Sequence, residues 1–105
     1  MIVVRVSMMI QRGKREDAIK LLRERDALLD RQGIPKATRM YVRKLASPMS
    51  PEIIREYEFP NFTEYESAWA RRMKSTPESR KWSAEFDPLV VPGSMGYEVY
   101  ELLEG

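Results

Sequence analysis

The sequence predicts an α+β fold in which a strand, a long helix and a strand occur twice in succession. Three observations support this prediction: apolar residues alternate over 2–10, helical spacing follows Gly13, and a second strand–helix–strand set follows Pro51. Right-handed crossovers arrange these elements as a four-stranded antiparallel sheet in the order 4-1-3-2, with the helices on one face. The other face of that sheet has no helix to cover it.

Length and composition predict a single domain over residues 1–105, because a chain of this size buries about two-thirds of its unfolded surface in one core. The net charge is +2, and the basic residues form no one-sided stripe, so we predict no nucleic-acid partner. The chain has no cysteine and no histidine. It therefore lacks disulfides, thiolate nucleophiles and the usual metal and haem ligand, and we predict no cofactor and no metal.

The apolar stretches are much shorter than the about 18 residues that a membrane-spanning helix needs, so no membrane span is predicted. Residues 1–5 lack the basic start of a signal peptide. We therefore expect a cytoplasmic protein.

The first half of the chain contains two predicted strands and a helix. Residues 2–10 alternate between apolar and mixed side chains, which is typical of a strand with one buried face. After Gly13, leucines at helical spacing predict an amphipathic helix. Gly33 is the expected C-cap, and Pro35 prevents the helix from continuing. Residues 37–46 alternate again and predict the second strand.

The second half repeats this order. Residues 53–59 predict the third strand, and Asn61 fits an N-cap that forms a capping box with Glu64. Thr76, followed by proline at the first helical position, begins a further helical segment. Residues 95–103 predict the last strand.

Alternation along the strands assigns their side chains to two faces of the sheet. The apolar face, which we expect to pack against the helices, carries Ile2, Val4, Val6, Met8, Met40, Val42, Tyr57, Phe59 and Val99. The opposite face, named the bare face below, carries Val3, Arg5, Ser7, Arg39, Tyr41, Arg43, Glu56, Glu58, Glu98, Tyr100 and Leu102. Charges on a central strand are tolerable only if they are solvated or paired, so we expect the arginines and glutamates of this face to pair.

Several segments are similar to NIPSNAP-like proteins. They are residues 13–16 (GKRE), 56–66 (EYEFPNFTEYE), Trp69 and 88–94 (PLVVPGS). This resemblance implies the ferredoxin-like fold of the dimeric α+β barrel superfamily, in which two sheets face each other across a two-fold axis. The superfamily includes cofactor-free antibiotic-biosynthesis monooxygenases, haem-degrading enzymes and muconolactone isomerases. The resemblance thus implies a fold rather than one reaction, and this chain has no histidine to serve as axial haem ligand.

The bare face also predicts a homodimer on physical grounds. If it stayed open, Val3, Met9, Ile54, Tyr100 and Leu102 would form a larger apolar patch than monomers usually expose. A two-fold contact between copies would cover that patch.

The candidate ligand-binding site is the polar group on the bare face. Its members are Arg5, Tyr41, Arg43, Glu56, Glu58 and Glu98. In one interpretation they line a pocket between the two sheets and bind a small anionic or oxygenated molecule, since arginine holds carboxylates bidentately. In the other they form an ion-pair network that satisfies a partly wet interface. The bare face as a whole carries three arginines and three glutamates, and this balance favours the second interpretation.

Two function classes follow from this site. The first is a module that binds a small molecule or a protein partner through the cavity between the sheets. The second is a cofactor-independent, monooxygenase- or isomerase-like enzyme for an enolisable substrate, whose anion Arg5, Arg43 and Tyr41 would stabilise while Glu56 or Glu58 acts as base. The sequence favours the module slightly.

A run of aromatic residues is predicted to lie mostly in the core rather than around a flat ligand. Its members are Tyr57, Phe59, Phe62, Tyr65, Trp69, Trp82 and Phe86.

Overall fold

A computed structural model of the chain describes residues 1–103. In chain order its elements are β1 (Ile2–Met8), α1 (Arg15–Arg31), β2 (Arg39–Val42), β3 (Ile53–Phe59), α2 (Phe62–Arg72), α3 (Pro77–Phe86), a 3₁₀ turn (Asp87–Leu89) and β4 (Gly96–Glu101). This order confirms the predicted α+β fold, with the second helical region divided into α2 and α3.

The sheet has the predicted order β2-β3-β1-β4, and each neighbouring pair is antiparallel. In the centre of the sheet, Arg5 lies opposite Glu56 on β3 and opposite Glu98 on β4. One residue earlier, Val4 lies opposite Tyr57 and Val99. At these two positions the register therefore keeps the charged and the apolar residues on opposite faces, as the alternation predicts.

Three strands are shorter than predicted, and one of them is β4, which covers Gly96–Glu101 instead of 95–103. β2 stops at Val42, which pairs with Ile53 at the start of β3, so the residues after Val42 have no partner strand to continue the ladder. β1 stops at Met8, and beyond it Ile10 forms only an isolated bridge with Val90. An edge strand such as β2 can extend only along its single neighbour, and the alternation of residues in the sequence does not show where that neighbour ends.

Gly33 terminates α1, as predicted. Its backbone has φ +69°, a conformation that other residues rarely adopt. The Gly33 N–H donates to the Asp30 carbonyl (3.1 Å), and the Ile34 N–H donates to the Leu29 carbonyl (2.9 Å). These two bonds form a Schellman motif that satisfies the last carbonyls of the helix.

Side-chain caps begin the other two helices. The Asn61 carboxamide oxygen accepts a hydrogen bond from the Glu64 N–H (2.9 Å), which confirms the predicted N-cap. The reciprocal capping box forms at α3 instead, where the Thr76 and Ser79 side chains each accept from the other's backbone N–H (3.0 and 2.8 Å). Ser79 can play the role that a glutamate usually takes because its hydroxyl reaches the same N–H.

The core lies between the helices and the apolar face of the sheet. Buried residues from both sides form it, namely Ile2, Val4, Met8, Ile10, Ala18, Leu22, Ile53, Tyr57, Phe59, Ala68 and Phe86. Val42 and Val99, which the alternation assigns to this face, are exposed, because both lie on edge strands. Phe62 is also exposed, at the first turn of α2, whereas Tyr57, Phe59 and Phe86 of the aromatic run are buried.

Replacing the buried Ile53 tests this packing. Ile53→Ala should lower the free energy of unfolding by about 2–5 kcal/mol, because the side chain has no solvent-exposed area in the centre of the core. Leu45→Ala, at a loop residue that is 94% exposed, should change it by less than about 0.5 kcal/mol. Urea unfolding followed by circular dichroism measures both values, and equal losses would contradict the described core.

Candidate functional site

On the bare face, a carboxylate lies between two arginines. Arg5 Nε donates to Glu56 Oε2 (2.9 Å), and Arg39 Nη1 donates to Glu56 Oε1 (3.1 Å). Arg39 Nη1 also donates to Glu58 Oε1 (2.5 Å). The Glu56 side chain is only 6% exposed, whereas the two arginine side chains are about half exposed (51% and 54%). Both oxygens of the buried carboxylate are therefore occupied, which is what a structural ion-pair network requires.

The structure brings together only part of the predicted site. Glu98 lies opposite Arg5 and is exposed, and Tyr41 lies opposite Ile54 with a half-exposed ring. Arg43 lies just past the end of β2, where its Nη1 donates to the Ser50 carbonyl (3.0 Å).

Arg39 holds the network together, although it is not in the candidate set. The hydrogen bonds that Arg39 donates to Glu58 and Glu56 raise the pKa of Arg39. The sequence contains the signal for its role, because alternation places Arg39 on the same face as the two glutamates.

A second feature lies on the helix side of the sheet, where a cavity has a volume of about 700 Å³. Val6 and Met8 of β1 lie at its floor together with Arg55 of β3. Its walls come from α1, α2, α3 and the residues around β4, and include Leu22, Arg25, Trp69, Arg72, Lys74, Ser79, Arg80, Trp82, Phe86, Asp87, Met95 and Tyr97. A cavity of this size is within the range of small-molecule sites.

Three arginines from three different elements meet at this cavity. Arg55 on β3 is 2% exposed and forms an ion pair with the Asp26 carboxylate. Arg25 on α1 is buried, and its Nη2 donates to the Arg72 carbonyl (3.3 Å). The Arg72 guanidinium carbon lies 4.7 Å from the centre of the Tyr57 ring and 5.0 Å from that of Trp69. We name Arg25, Arg55 and Arg72 the arginine cluster.

The cluster carries more positive charge than its neighbours balance. Burial, and to a lesser degree the positive charges of Arg55 and Arg25, lower the pKa of Arg72 to about 10. Burial, followed by the charge of Arg55, also lowers the pKa of Arg25. Arg72 is still a cation at neutral pH, since a pKa of about 10 lies well above 7. The arrangement therefore favours the approach of an anion.

Aromatic rings form another part of the cavity wall. The Trp82 and Phe86 rings are stacked with their centres 4.5 Å apart, and the Trp82 indole N–H donates to the Leu21 carbonyl (2.6 Å). The Tyr97 hydroxyl contacts the Tyr65 hydroxyl. Burial and this contact raise the pKa of Tyr97. These rings are held in fixed positions, which suits an apolar binding surface.

The arginine cluster is absent from the predicted site, although the sequence carries a signal for two of its members. Arg55 shares a strand face with Ile53 and Tyr57, and Arg25 lies in the apolar stripe of α1 between Leu22 and Leu29. A cation at a position that the pattern assigns to the core is unusual enough to mark a site.

Comparison with known proteins relates this fold to others. No protein-family model matches the chain, and no curated protein matches it. Crystal structures do match. They include two proteins from Burkholderia xenovorans: a NIPSNAP domain protein (TM-score 0.76, 10% identity, 98% of this chain and 95% of that one) and a NIPSNAP-like domain protein (TM-score 0.77, 10% identity, 97% and 84%). An antibiotic biosynthesis monooxygenase also matches, with a TM-score of 0.69, 12% identity and coverage of 99% and 100%.

This chain has the ferredoxin-like α+β fold of those proteins. The NIPSNAP-like resemblance of the sequence is therefore confirmed at the level of the fold. Within residues 1–103, the structure contains no helix with the length and apolar character needed to cross a membrane.

Neutralising Glu56 tests the network on the bare face. Glu56→Gln should lower the free energy of unfolding by about 1–3 kcal/mol, because hydrogen bonds to a charged carboxylate are stronger than those to a neutral amide. The loss should not be larger, since solvent screens the charges of the two half-exposed arginines. Glu66→Gln, at an exposed position of α2, should change it by less than about 0.5 kcal/mol. Chemical unfolding measures both, and a loss at Glu56 no larger than at Glu66 would rule out the network.

Proposed function

We propose that this protein is a homodimeric binding module in which two copies pair through the bare faces of their sheets. The observation that carries the proposal is the one-sided packing of the sheet: within residues 1–103, the described core clusters lie on the helix side. The bare face keeps exposed aromatic rings beside its ion pairs. An interface between identical copies is self-complementary, so one face can cover the other.

The composition of the bare face fits such an interface. The Tyr41 and Tyr100 side chains are half exposed, and Val3 and Ile54 are half buried between them and the charged residues. Tyrosine and arginine are enriched in protein interfaces, where rings supply contact area and guanidinium groups supply hydrogen bonds. Arg5 combines the two kinds of group, because its guanidinium carbon lies 5.7 Å from the centre of the Tyr100 ring.

The charges of the bare face also suit a two-fold contact. Arg39 lies on one edge strand of the sheet and Glu98 on the other. In a face-to-face dimer each copy presents both charges to its partner, which allows pairs of opposite sign.

A small molecule or a protein segment held between the two sheets would contact the candidate residues Arg5, Tyr41, Arg43, Glu56, Glu58 and Glu98. A cofactor-independent monooxygenase- or isomerase-like activity would use the same residues, with Glu56 or Glu58 as base. The geometry supports the module better, because both Glu56 oxygens already accept hydrogen bonds from arginines. The cytoplasmic location stays a prediction of the sequence.

A charge on the bare face should separate the copies. The unmodified chain should have about twice its chain mass of 12.3 kDa in light scattering after size-exclusion chromatography. Tyr41→Lys should shift the mass towards 12.3 kDa, because the interface would bury an unpaired ammonium group.

Phe62→Lys is the matched control, since it replaces another half-exposed aromatic ring with lysine on the helix side. This variant should keep the dimeric mass. A monomeric mass for the unmodified chain, or equal effects of the two variants, would refute the proposed interface.

A further inference from the structure

We infer that the cavity on the helix side binds a small organic acid, with its oxyanion held by the arginine cluster and its flat apolar part against the aromatic wall. This site lies within a single chain, on the opposite side of the sheet from the proposed interface. It is therefore independent of the homodimer.

The charge of the cavity is the first argument. The lining residues that carry charge at neutral pH are Arg25, Arg55, Arg72, Lys74, Arg80 and Asp87. Five of them are thus cations and one is an anion; Arg25 and Arg55 are buried and Arg72 is partly buried, whereas Lys74, Arg80 and Asp87 are exposed. Within the described residues, the ion pair of the three arginines is the one between Arg55 and Asp26. Buried charge of one sign is costly unless a partner balances it, and a bound anion would supply that partner.

Unpartnered polar atoms are the second argument. Within residues 1–103, Arg55 Nε and Arg72 Nη1 are buried and have no hydrogen-bond acceptor. Buried polar atoms are nearly always hydrogen-bonded, so these two donors leave the arginine cluster short of acceptors. A carboxylate in the cavity suits the cluster, because its two oxygens match the planar donors of guanidinium groups.

The other contacts of the cluster do not supply this acceptor. Tyr57 and Trp69 lie against the Arg72 guanidinium at 4.7 and 5.0 Å, which favours the cation through the ring faces. Stacking leaves the N–H groups in the guanidinium plane without an acceptor. Arg25 donates a hydrogen bond to the backbone carbonyl of Arg72, and this bond gives the Arg72 side chain no acceptor.

The remaining wall determines the shape of the ligand. Val6, Met8 and Leu22 line the cavity together with Trp69, Trp82 and Phe86. These largely apolar side chains cannot replace the water around a hydrated inorganic ion, whereas an apolar ring attached to the carboxylate would remove them from water. The combination favours an organic acid over free phosphate.

Isothermal titration calorimetry of the unmodified protein tests the charge requirement with two probes of nearly equal shape. At pH 7 and constant ionic strength, 2-naphthoate should bind at least about tenfold more tightly than the neutral 2-naphthamide, because only the carboxylate forms charge-assisted hydrogen bonds with the cluster. Inorganic phosphate should bind more weakly than 2-naphthoate. Equal affinities for the two naphthyl probes, no binding of either, or phosphate binding as tightly as 2-naphthoate would overturn the proposal.

Three substitutions to methionine locate the site. Arg72→Met and Arg25→Met should each weaken 2-naphthoate binding at least about tenfold and leave 2-naphthamide binding within about twofold, since each removes one cation of the cluster. Arg23→Met is the matched control, because Arg23 is an exposed arginine two positions from Arg25 on α1. It should leave both affinities unchanged. A comparable loss in the control would overturn the assignment.

Thermal unfolding separates binding from a structural role. Without ligand, Arg72→Met should melt at the same temperature as the unmodified protein or higher, because a poorly balanced buried charge is removed. A lower melting temperature together with unchanged 2-naphthoate affinity would make the cluster purely structural. If either variant fails to fold, the comparison of the two naphthyl probes on the unmodified protein still decides the proposal.

Tyr41→Lys distinguishes this inference from the proposed homodimer. Its affinity for 2-naphthoate should equal that of the unmodified protein whatever its mass, because Tyr41 lies on the bare face. A loss of affinity in this variant would place the binding site at the interface and overturn the present assignment.

Discussion

The sheet of this protein is covered by helices on one face only, and most other features of the molecule depend on that constraint. Four strands in the order β2-β3-β1-β4 place apolar residues such as Val4 and Tyr57 against the helices. The same register turns Arg5 and Glu56 to the opposite side. Charged residues on such a face need ion pairs, and its exposed rings support the proposal that a second copy covers it.

Charge is arranged differently on the two sides of the sheet. On the bare face, Glu56 accepts hydrogen bonds from Arg5 and Arg39, so its carboxylate is fully used within the chain. On the helix side, among the residues up to Leu103, buried Arg55 has one carboxylate partner, and Arg72 has ring faces but no acceptor for Nη1. A satisfied network suits an interface, whereas unsatisfied donors beside a cavity suit a ligand. The two sides therefore support two separate roles.

The sequence was sufficient for the fold and for part of the site, for physical reasons. Alternation with a period of two predicts which strand residues share a face, and Gly33 and Asn61 predict helix ends through local backbone chemistry. It was not sufficient for the length of β2, which depends on its neighbour, or for the contact of Arg43 with Ser50. The pattern places Arg25 and Arg55 at core positions, but their meeting with Arg72 depends on the packing of α1, β3 and α2.

Sedimentation equilibrium of the unmodified chain tests the central claim, that the bare face is buried against a second copy. Measured across a range of micromolar concentrations, the mass should stay at about twice 12.3 kDa, because an interface formed by a whole sheet face should hold two copies together at these concentrations. A mass of 12.3 kDa at every concentration would contradict the account.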